Sequence, residues 1–191
     1  MAQVPGFYGK LPSRGDFLTS GLGRAFVDAW TEWMDQGLRA SQEALGAEWV
    51  PAWMEAPLWF FTLAPGLGGP TAAAGFFFPS VDRAGRHYPM TVVTLFPGLS
   101  GPPDAMTLDP WLRDCTVPAL AALYDDWAPD ALAEALGKLP APSVSVSASG
   151  RFWSDGGPRV AATSLEAGTL LMPAAFTRLL QAEADTEPPL I

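Results

Sequence analysis

The sequence predicts an α+β fold, with a single-domain antiparallel or mixed β-sheet flanked by α-helices. Apolar, aromatic and β-branched runs follow one another at 58–64, 73–81 and 89–96, a composition typical of buried strands. Helical periodicity lies before and after these runs without regular alternation, which disfavours a doubly wound parallel sheet. A length of 191 residues suits one domain, which we place at 1–182, with a frayed tail at 183–191.

The segment before the sheet predicts one long helix. Residues 4–11 have the character of a short strand, and 12–21 form a loop rich in Pro, Ser and Gly. Residues 23–45 then repeat large side chains at steps of three and four, which gives one apolar helical face. Those side chains are Phe26, Trp30, Trp33, Met34, Leu38, Ser41 and Leu45. A short helical turn with two tryptophans is expected at 47–55.

The three central runs predict two hairpins. The link between the second and third runs has Asp82 and Gly85 at the first and last positions of a type I turn. An antiparallel pairing of those two strands follows from this turn. The Gly/Pro loop at 65–70 joins the first and second runs in the same way.

The second half of the chain predicts a mixture of helices and strands. A helix is expected to begin near Asp109, with Pro110 in its first turn, and to be kinked or split by Pro118. Strict alternation in SVSVSAS predicts a strand with one solvated face. The predicted elements are the helix from near Asp109 to Tyr124, a helix at 129–137, strands at 143–149, 151–153 and 168–172, and a helix at 173–183. The last helix is expected to bury Phe176, Leu179 and Leu180.

Charge and composition exclude several functions. The net charge is −9, so the chain repels nucleic-acid phosphates and anionic membrane surfaces. Residues 56–81 carry no charge, but Pro and Gly interrupt them too often for a membrane-spanning helix. Cys115 is the single cysteine and is expected to pack in the core. A cytoplasmic protein without a signal peptide is predicted.

Two Gly- and Pro-bounded loops, 10–16 and 80–87, concentrate the polar chemistry. Loops held in one shape and carrying charge are typical functional sites. The candidate residues are Lys10, Arg14, Asp16, Ser80, Asp82, Arg83, Arg86 and His87. Lys10 and Arg14 precede a helix and are suited to hold an anion. Alternatively, Arg14 and Asp16 pair with Asp82 or Arg86 and pin the loops together, which we favour because buried charges are normally paired.

Catalysis and metal binding receive little support. A hydrolase would use Ser80, His87 and Asp82 as nucleophile, base and orienting group, but the sequence has no G-x-S-x-G elbow. No His or Cys pair and no acidic calcium loop is present. We therefore expect no cofactor, no metal and no enzymatic activity, and keep a hydrolase or small-ligand-binding protein using the charged loops as the alternative.

Several segments resemble a known family. GFYGKLPSRGDF at 6–17 and PSVDRAGRHYPMT at 79–91 are the longest. With AFVDAWTEWMDQGL, APLWFF, RFWSDGG and LLMPAAFTRLL they resemble the TagF family of proteins associated with bacterial type VI secretion. The similarity follows the family's order over about residues 5–182, so it covers nearly the whole chain.

The resemblance implies a cytoplasmic post-translational repressor of type VI secretion. Members are thought to bind the forkhead-associated (FHA) scaffold protein of the system and so to counter the Ser/Thr kinase–phosphatase pathway that promotes firing. The family supplies no catalytic residues. The matched positions Lys10, Arg14, Asp16, Asp82, Arg83 and Arg86 become candidates for a structural or binding cluster on the motifs alone.

Overall fold

Seven strands form one antiparallel sheet in the computed structural model, which describes residues 4–12, 14–168, 170 and 173–181. The strands, in chain order, are β1 (Gly6–Gly9), β2 (Leu18–Ser20), β3 (Trp59–Leu63), β4 (Ala72–Phe78), β5 (Met90–Phe96), β6 (Gly150–Ser154) and β7 (Thr163–Ala167). Their spatial order is β2-β1-β5-β4-β3-β6-β7. Both predicted hairpins are present, because β3 pairs with β4 and β4 with β5 in antiparallel register. The predicted α+β class is confirmed.

Helices cover both faces of this sheet. The α-helices are α1 (Arg24–Leu45), α2 (Trp49–Glu55), α3 (Ala105–Tyr124) and α4 (Pro129–Gly137), and short 3₁₀ helices occupy Gly46–Glu48 and Pro173–Leu179. The helices α1 and α2 and the last 3₁₀ helix pack on one face, whereas α3 and α4 pack on the other. None of the helices in the part of the chain described above has an apolar stretch that would span a bilayer.

The sheet separates two apolar cores because its side chains alternate between faces. In β4, Ala73 and Phe77 pack under α1, while Phe76 and Phe78 pack under α3. All seven residues of β4 are buried, which explains its continuous apolar sequence. The core under α1 is strongly aromatic. The Trp30 ring lies with its centroid 4.7 Å from the Phe61 centroid, and the Trp30 indole N–H donates to Thr91 Oγ1 at 2.9 Å.

The predicted helix at 23–45 is confirmed almost to the residue. Six of its seven predicted face residues are buried, and Leu45 is partly buried at the C-terminal end. The predicted inward-facing Phe176, Leu179 and Leu180 are likewise buried, although they lie on and beside a 3₁₀ helix. That helix ends at Leu179, whereas the prediction extended it to 183. Residues 180 and 181 are described and are not helical.

The helix expected near Asp109 begins earlier. Asp104 caps α3, because its carboxylate accepts hydrogen bonds from the backbone N–H and the hydroxyl of Thr107. Pro110 therefore lies inside the helix and not in its first turn. Pro118 also lies inside, and α3 remains one element up to Tyr124. The helix at 129–137 is confirmed.

The polar edges of the sheet differ from the prediction. Residues 143–149 form no strand, and only Val146 makes an isolated bridge, to Pro103. Two short strands that the sequence did not reveal, β2 and β7, form the sheet edges. The strand predicted at 168–172 is absent at Gly168 and Leu170. Its other three residues, and the tail predicted at 183–191, lie outside the described residues.

Candidate functional site

The two charged loops lie against each other, and hydrogen bonds join them. The Arg83 N–H donates to the Arg14 carbonyl at 3.0 Å. The Arg86 guanidinium donates to the Gly15 carbonyl at 2.5 Å, and the Ser80 hydroxyl donates to the Lys10 carbonyl at 2.7 Å. Each of these bonds links positions about 70 residues apart, so the loop 80–87 holds the N-terminal loop in one position.

Asp82 is the centre of this junction. Its carboxylate accepts hydrogen bonds from Lys10 Nζ at 2.8 Å and from Arg86 Nε at 2.6 Å. The same carboxylate accepts from the backbone N–H groups of Ala84 and Arg86 at 2.9 Å each. The hydrogen bond from Lys10, and then those from Arg86 and Ala84, hold the pKa of Asp82 well below its usual range, against the opposing effect of burial.

The predicted turn at the tip of this loop is present. The Gly85 N–H donates to the Asp82 carbonyl at 2.9 Å, and Gly85 has φ of 78°. Glycine suits this position because a positive φ is costly for other residues. The turn directs the backbone N–H groups of Ala84 and Arg86 toward the Asp82 carboxylate. Two of the four hydrogen-bond donors to this carboxylate therefore come from the backbone of its own turn.

Lys10 is enclosed between this carboxylate and an aromatic group. Only 5% of Lys10 is exposed, and its Nζ lies 4.9 Å from the centroid of the Phe17 ring. Phe17 stacks on Tyr8 and meets Tyr88 edge to face, with centroid distances of 5.4 and 4.7 Å. The ammonium therefore takes part in an ion pair and a cation–π contact. These contacts give Lys10 a structural role in joining the loops.

The remaining charged candidates point to solvent. Arg14, Asp16 and Arg83 are exposed, and within the described ranges none of their side chains has an ion pair or hydrogen bond. The expected side-chain pairing of Arg14 and Asp16 with Asp82 or Arg86 is therefore not what joins the loops. Lys10 supplies the buried cation, and Arg14 contributes its backbone carbonyl.

Ser80, Asp82 and His87 each have partners outside the predicted triad. The Ser80 hydroxyl donates to a backbone carbonyl, and Asp82 is occupied by two cations. His87 meets the rings of Trp49 and Trp53 edge to face, at centroid distances of 5.3 and 6.4 Å. No hydrogen bond joins His87 to Ser80 or Asp82 among the residues described. Burial lowers the pKa of His87 below its ordinary 6.5, which favours the neutral ring.

An apolar groove beside the loops was not predicted from the sequence. It has a volume of about 270 Å³ and is lined by Pro12, Met54, Pro79, Ser80, Val81, Leu123 and Tyr124. Met54 is 61% exposed and Tyr124 is 79% exposed, unusually high values for large apolar side chains. The exposure of Met54 could have been predicted from helical spacing. Trp49 and Trp53 face the core, so Met54 lies away from the buried face of α2.

The other charge clusters are structural pairs on the surface. Arg113 donates to Asp109 and Asp155, and Arg159 pairs with Glu48 and Glu55. Within the described ranges, no three His, Cys, Asp or Glu residues come together as a metal site. Cys115 is buried, and this burial raises the pKa of its thiol to about 12, so the group is suited to packing and not to nucleophilic chemistry.

Comparison with known proteins identifies the family. The family described as the TagF N-terminal domain, type VI secretion system-associated, matches residues 6–139, which include both charged loops. The crystal structure of PA0076 from Pseudomonas aeruginosa PAO1 is 33% identical in sequence, covers 98% of each chain and superposes with a TM-score of 0.85. No curated protein matches. The chain thus belongs to the TagF N-terminal domain family of type VI secretion system-associated proteins.

Proposed function

We propose that this chain is a cytoplasmic negative regulator of type VI secretion that acts after translation by binding the FHA scaffold protein of the system. Membership of the TagF N-terminal domain family, matched over residues 6–139, is the observation that carries the proposal. The family match places the chain with the secretion system. A secretion assay tests the direction of its effect, and a binding measurement tests its partner.

The state of the polar groups supports binding without catalysis. Lys10, Asp82 and the Ser80 hydroxyl are occupied within the loop junction, so none of them is available to a substrate. The groups left at the surface are exposed arginines and an apolar groove. Arginine and apolar or aromatic side chains are enriched where proteins bind one another. Among the described residues, no hydrogen bond joins Ser80, Asp82 and His87 as the alternative hydrolase would require.

A secretion assay with a deletion strain tests the direction of regulation. A repressor's deletion should increase the amount of secreted type VI substrate, and expression of the wild-type chain from a plasmid should lower it again. An unrelated secretion pathway measured in the same strains controls for general effects. Reduced secretion in the deletion strain would show that the chain assists assembly and would overturn the proposal.

Co-purification and calorimetry test the partner. The purified chain should form a stable pairwise complex with the FHA scaffold of the same secretion system, whether or not that scaffold is phosphorylated. Lack of binding to both forms would remove the scaffold as the partner. A secretion phenotype that persisted in that case would leave the repressor role standing with a different target.

A further inference from the structure

The apolar groove lies at the end of β4, where elements from the two faces of the sheet approach each other. Its side chains come from α2, from the C-terminal end of α3 and from the segments that follow β1 and β4. The Trp53 indole N–H donates to the Ser80 carbonyl at 3.3 Å, which fixes α2 against the groove floor. The described chain therefore leaves an apolar surface uncovered where these elements meet.

Two exposed arginines lie close in the chain to residues that line this groove. Arg14 follows Pro12 by two residues, and Arg83 follows Val81 by two residues. Both arginines are exposed, and no carboxylate pairs with either one in the ranges described. The two loops hold four cationic side chains against two carboxylates, in a chain with a net charge of −9. An anionic ligand is thus attracted to this region, although the molecule as a whole repels it.

Negative charge follows the groove residue Tyr124 at the end of α3. Asp125 and Asp126 are exposed and follow Tyr124 directly at the end of α3. An acidic segment lying in the groove is therefore oriented, because its carboxylates are attracted toward the arginine loops and repelled from the end of α3. The hydrogen bonds between the loops already hold Arg14 and Arg83 together, which reduces the entropy lost on binding.

We propose that this groove is the docking site for a segment of the partner protein that carries carboxylates beside apolar side chains. The apolar side chains lie between Met54 and Tyr124, and the carboxylates pair with Arg14 and Arg83. The inference rests on the proposed function, since it names the surface and the chemistry by which the FHA scaffold is bound. Lys10 and Asp82 support the site by holding the loops and do not contact the partner.

Calorimetry with the FHA scaffold tests this surface. The double variant Arg14→Glu/Arg83→Glu and the single variant Met54→Asp should each weaken binding at least about tenfold. Arg39→Glu and Met106→Asp are matched controls, because both residues are exposed and lie outside this groove, and they should bind as the wild type does. Thermal unfolding followed by far-UV circular dichroism confirms that each variant is folded.

A peptide measurement separates failure of the surface from failure of the proposed function. A synthetic peptide with two glutamates beside a leucine and a phenylalanine should shift the amide resonances of Met54, Val81 and Tyr124, and the same peptide with lysines in place of glutamates should not. Scaffold binding that all groove variants retain overturns the docking site and leaves the function intact. If the wild type binds no scaffold, the scaffold is removed as the partner, and equal behaviour of the two peptides then overturns the docking site as well.

Discussion

Asp82 joins the two loops because it is a fully occupied buried carboxylate. Its four hydrogen-bond donors come from Lys10, from Arg86 and from the backbone of its own turn. Loss of the negative charge leaves the Lys10 ammonium buried without an opposite charge, which costs more than the pair itself contributes. The stability of the junction therefore depends on both members of the Lys10–Asp82 pair at once.

We expect Asp82→Asn to lower the melting temperature by roughly 10 °C. The double variant Lys10→Met/Asp82→Asn should lose less than the sum of the two single variants, because removing Lys10 also removes the unpaired buried cation. Thermal unfolding at pH 7 measures all three. Lys138→Met, which breaks an exposed pair with Glu134, should have little effect. Additive losses at Lys10 and Asp82 would contradict the proposed coupling.

The same carboxylate should make stability fall in acid. The pKa of Asp82 is lower in the folded chain than its ordinary 3.8, so the unfolded chain takes up the proton first. The stabilisation is complete above that ordinary value and is lost as the pH falls below it toward the folded pKa. Urea unfolding at a series of pH values should show a shallower acid loss for Asp82→Asn than for the wild type. Parallel curves would argue against it.

His87 gives a second titration in a different pH range. Burial against the tryptophans lowers its pKa below 6.5 in the folded chain, so stability should fall as the pH drops through 6.5. The chain has one histidine, and ¹H–¹³C spectra of an untagged protein therefore report this residue without ambiguity. His87→Gln should lose this part of the pH dependence. A folded-state pKa at or above 6.5 would contradict the burial of the ring.

Among the elements, the contact between α1 and the last 3₁₀ helix requires a glycine. A Cβ at Gly37 would overlap the ring of Phe176, which is fully buried against α1. Glycine inside a helix costs about 1 kcal/mol of stability relative to alanine. At this position the close approach of the two helices outweighs that intrinsic preference, because a buried ring in a densely packed core moves only by displacing its neighbours.

Gly37→Ala should therefore destabilise the chain by about 1–3 kcal/mol, in spite of alanine's better helix propensity. The second substitution Phe176→Leu in the same chain should cost less than it does alone, since a smaller side chain makes room for the methyl group. Gly137→Ala at the end of α4 is the control, because its nearest neighbour would be Val4 Cγ1 at 3.9 Å. Urea unfolding at pH 7 supplies the free energies, and a stabilising Gly37→Ala would refute the overlap.

The sequence could predict elements whose pattern follows burial. Strands β3, β4 and β5 are buried on both faces and show as apolar runs, and α1 shows its core face at helical spacing. The edge strands β2 and β7 have little buried surface, so no apolar run marks them. The alternating SVSVSAS segment remained unpaired beyond a single bridge, because alternation alone does not supply a neighbouring strand.

The residues of the site could be predicted from the sequence, but the pairings between their side chains could not. Gly and Pro marked the loops, and the type I turn placed Asp82 correctly. Which cation enters the interior depends on the pairing of β1 with β5, a contact between segments more than 80 residues apart. The groove depends on the same long-range packing, since α2, α3 and both loops contribute to it. No local pattern contains that information.

On the scale of the whole molecule, one sheet carries two cores that share their strands. Phe61 on β3 packs under α1, and Phe76 on β4 packs under α3, while β3 and β4 pair along their length. Most tryptophans, including Trp30 and Trp59, belong to the α1 side. Because each central strand contributes to both cores, loss of either core removes part of the support for the other, and we expect both to unfold in a single transition.

Phe76→Ala tests this coupling from the side with few tryptophans. The variant should lose about 3–5 kcal/mol, and its tryptophan fluorescence and far-UV circular dichroism should shift together to one lower melting temperature. Phe61→Ala is the matched variant on the α1 side and should behave alike, because both rings are fully buried. A dichroism transition lowered by Phe76→Ala, with the fluorescence transition still at the wild-type temperature, would show that the two cores unfold independently. The stability of the loop junction, which lies beside both cores, would then need a separate explanation.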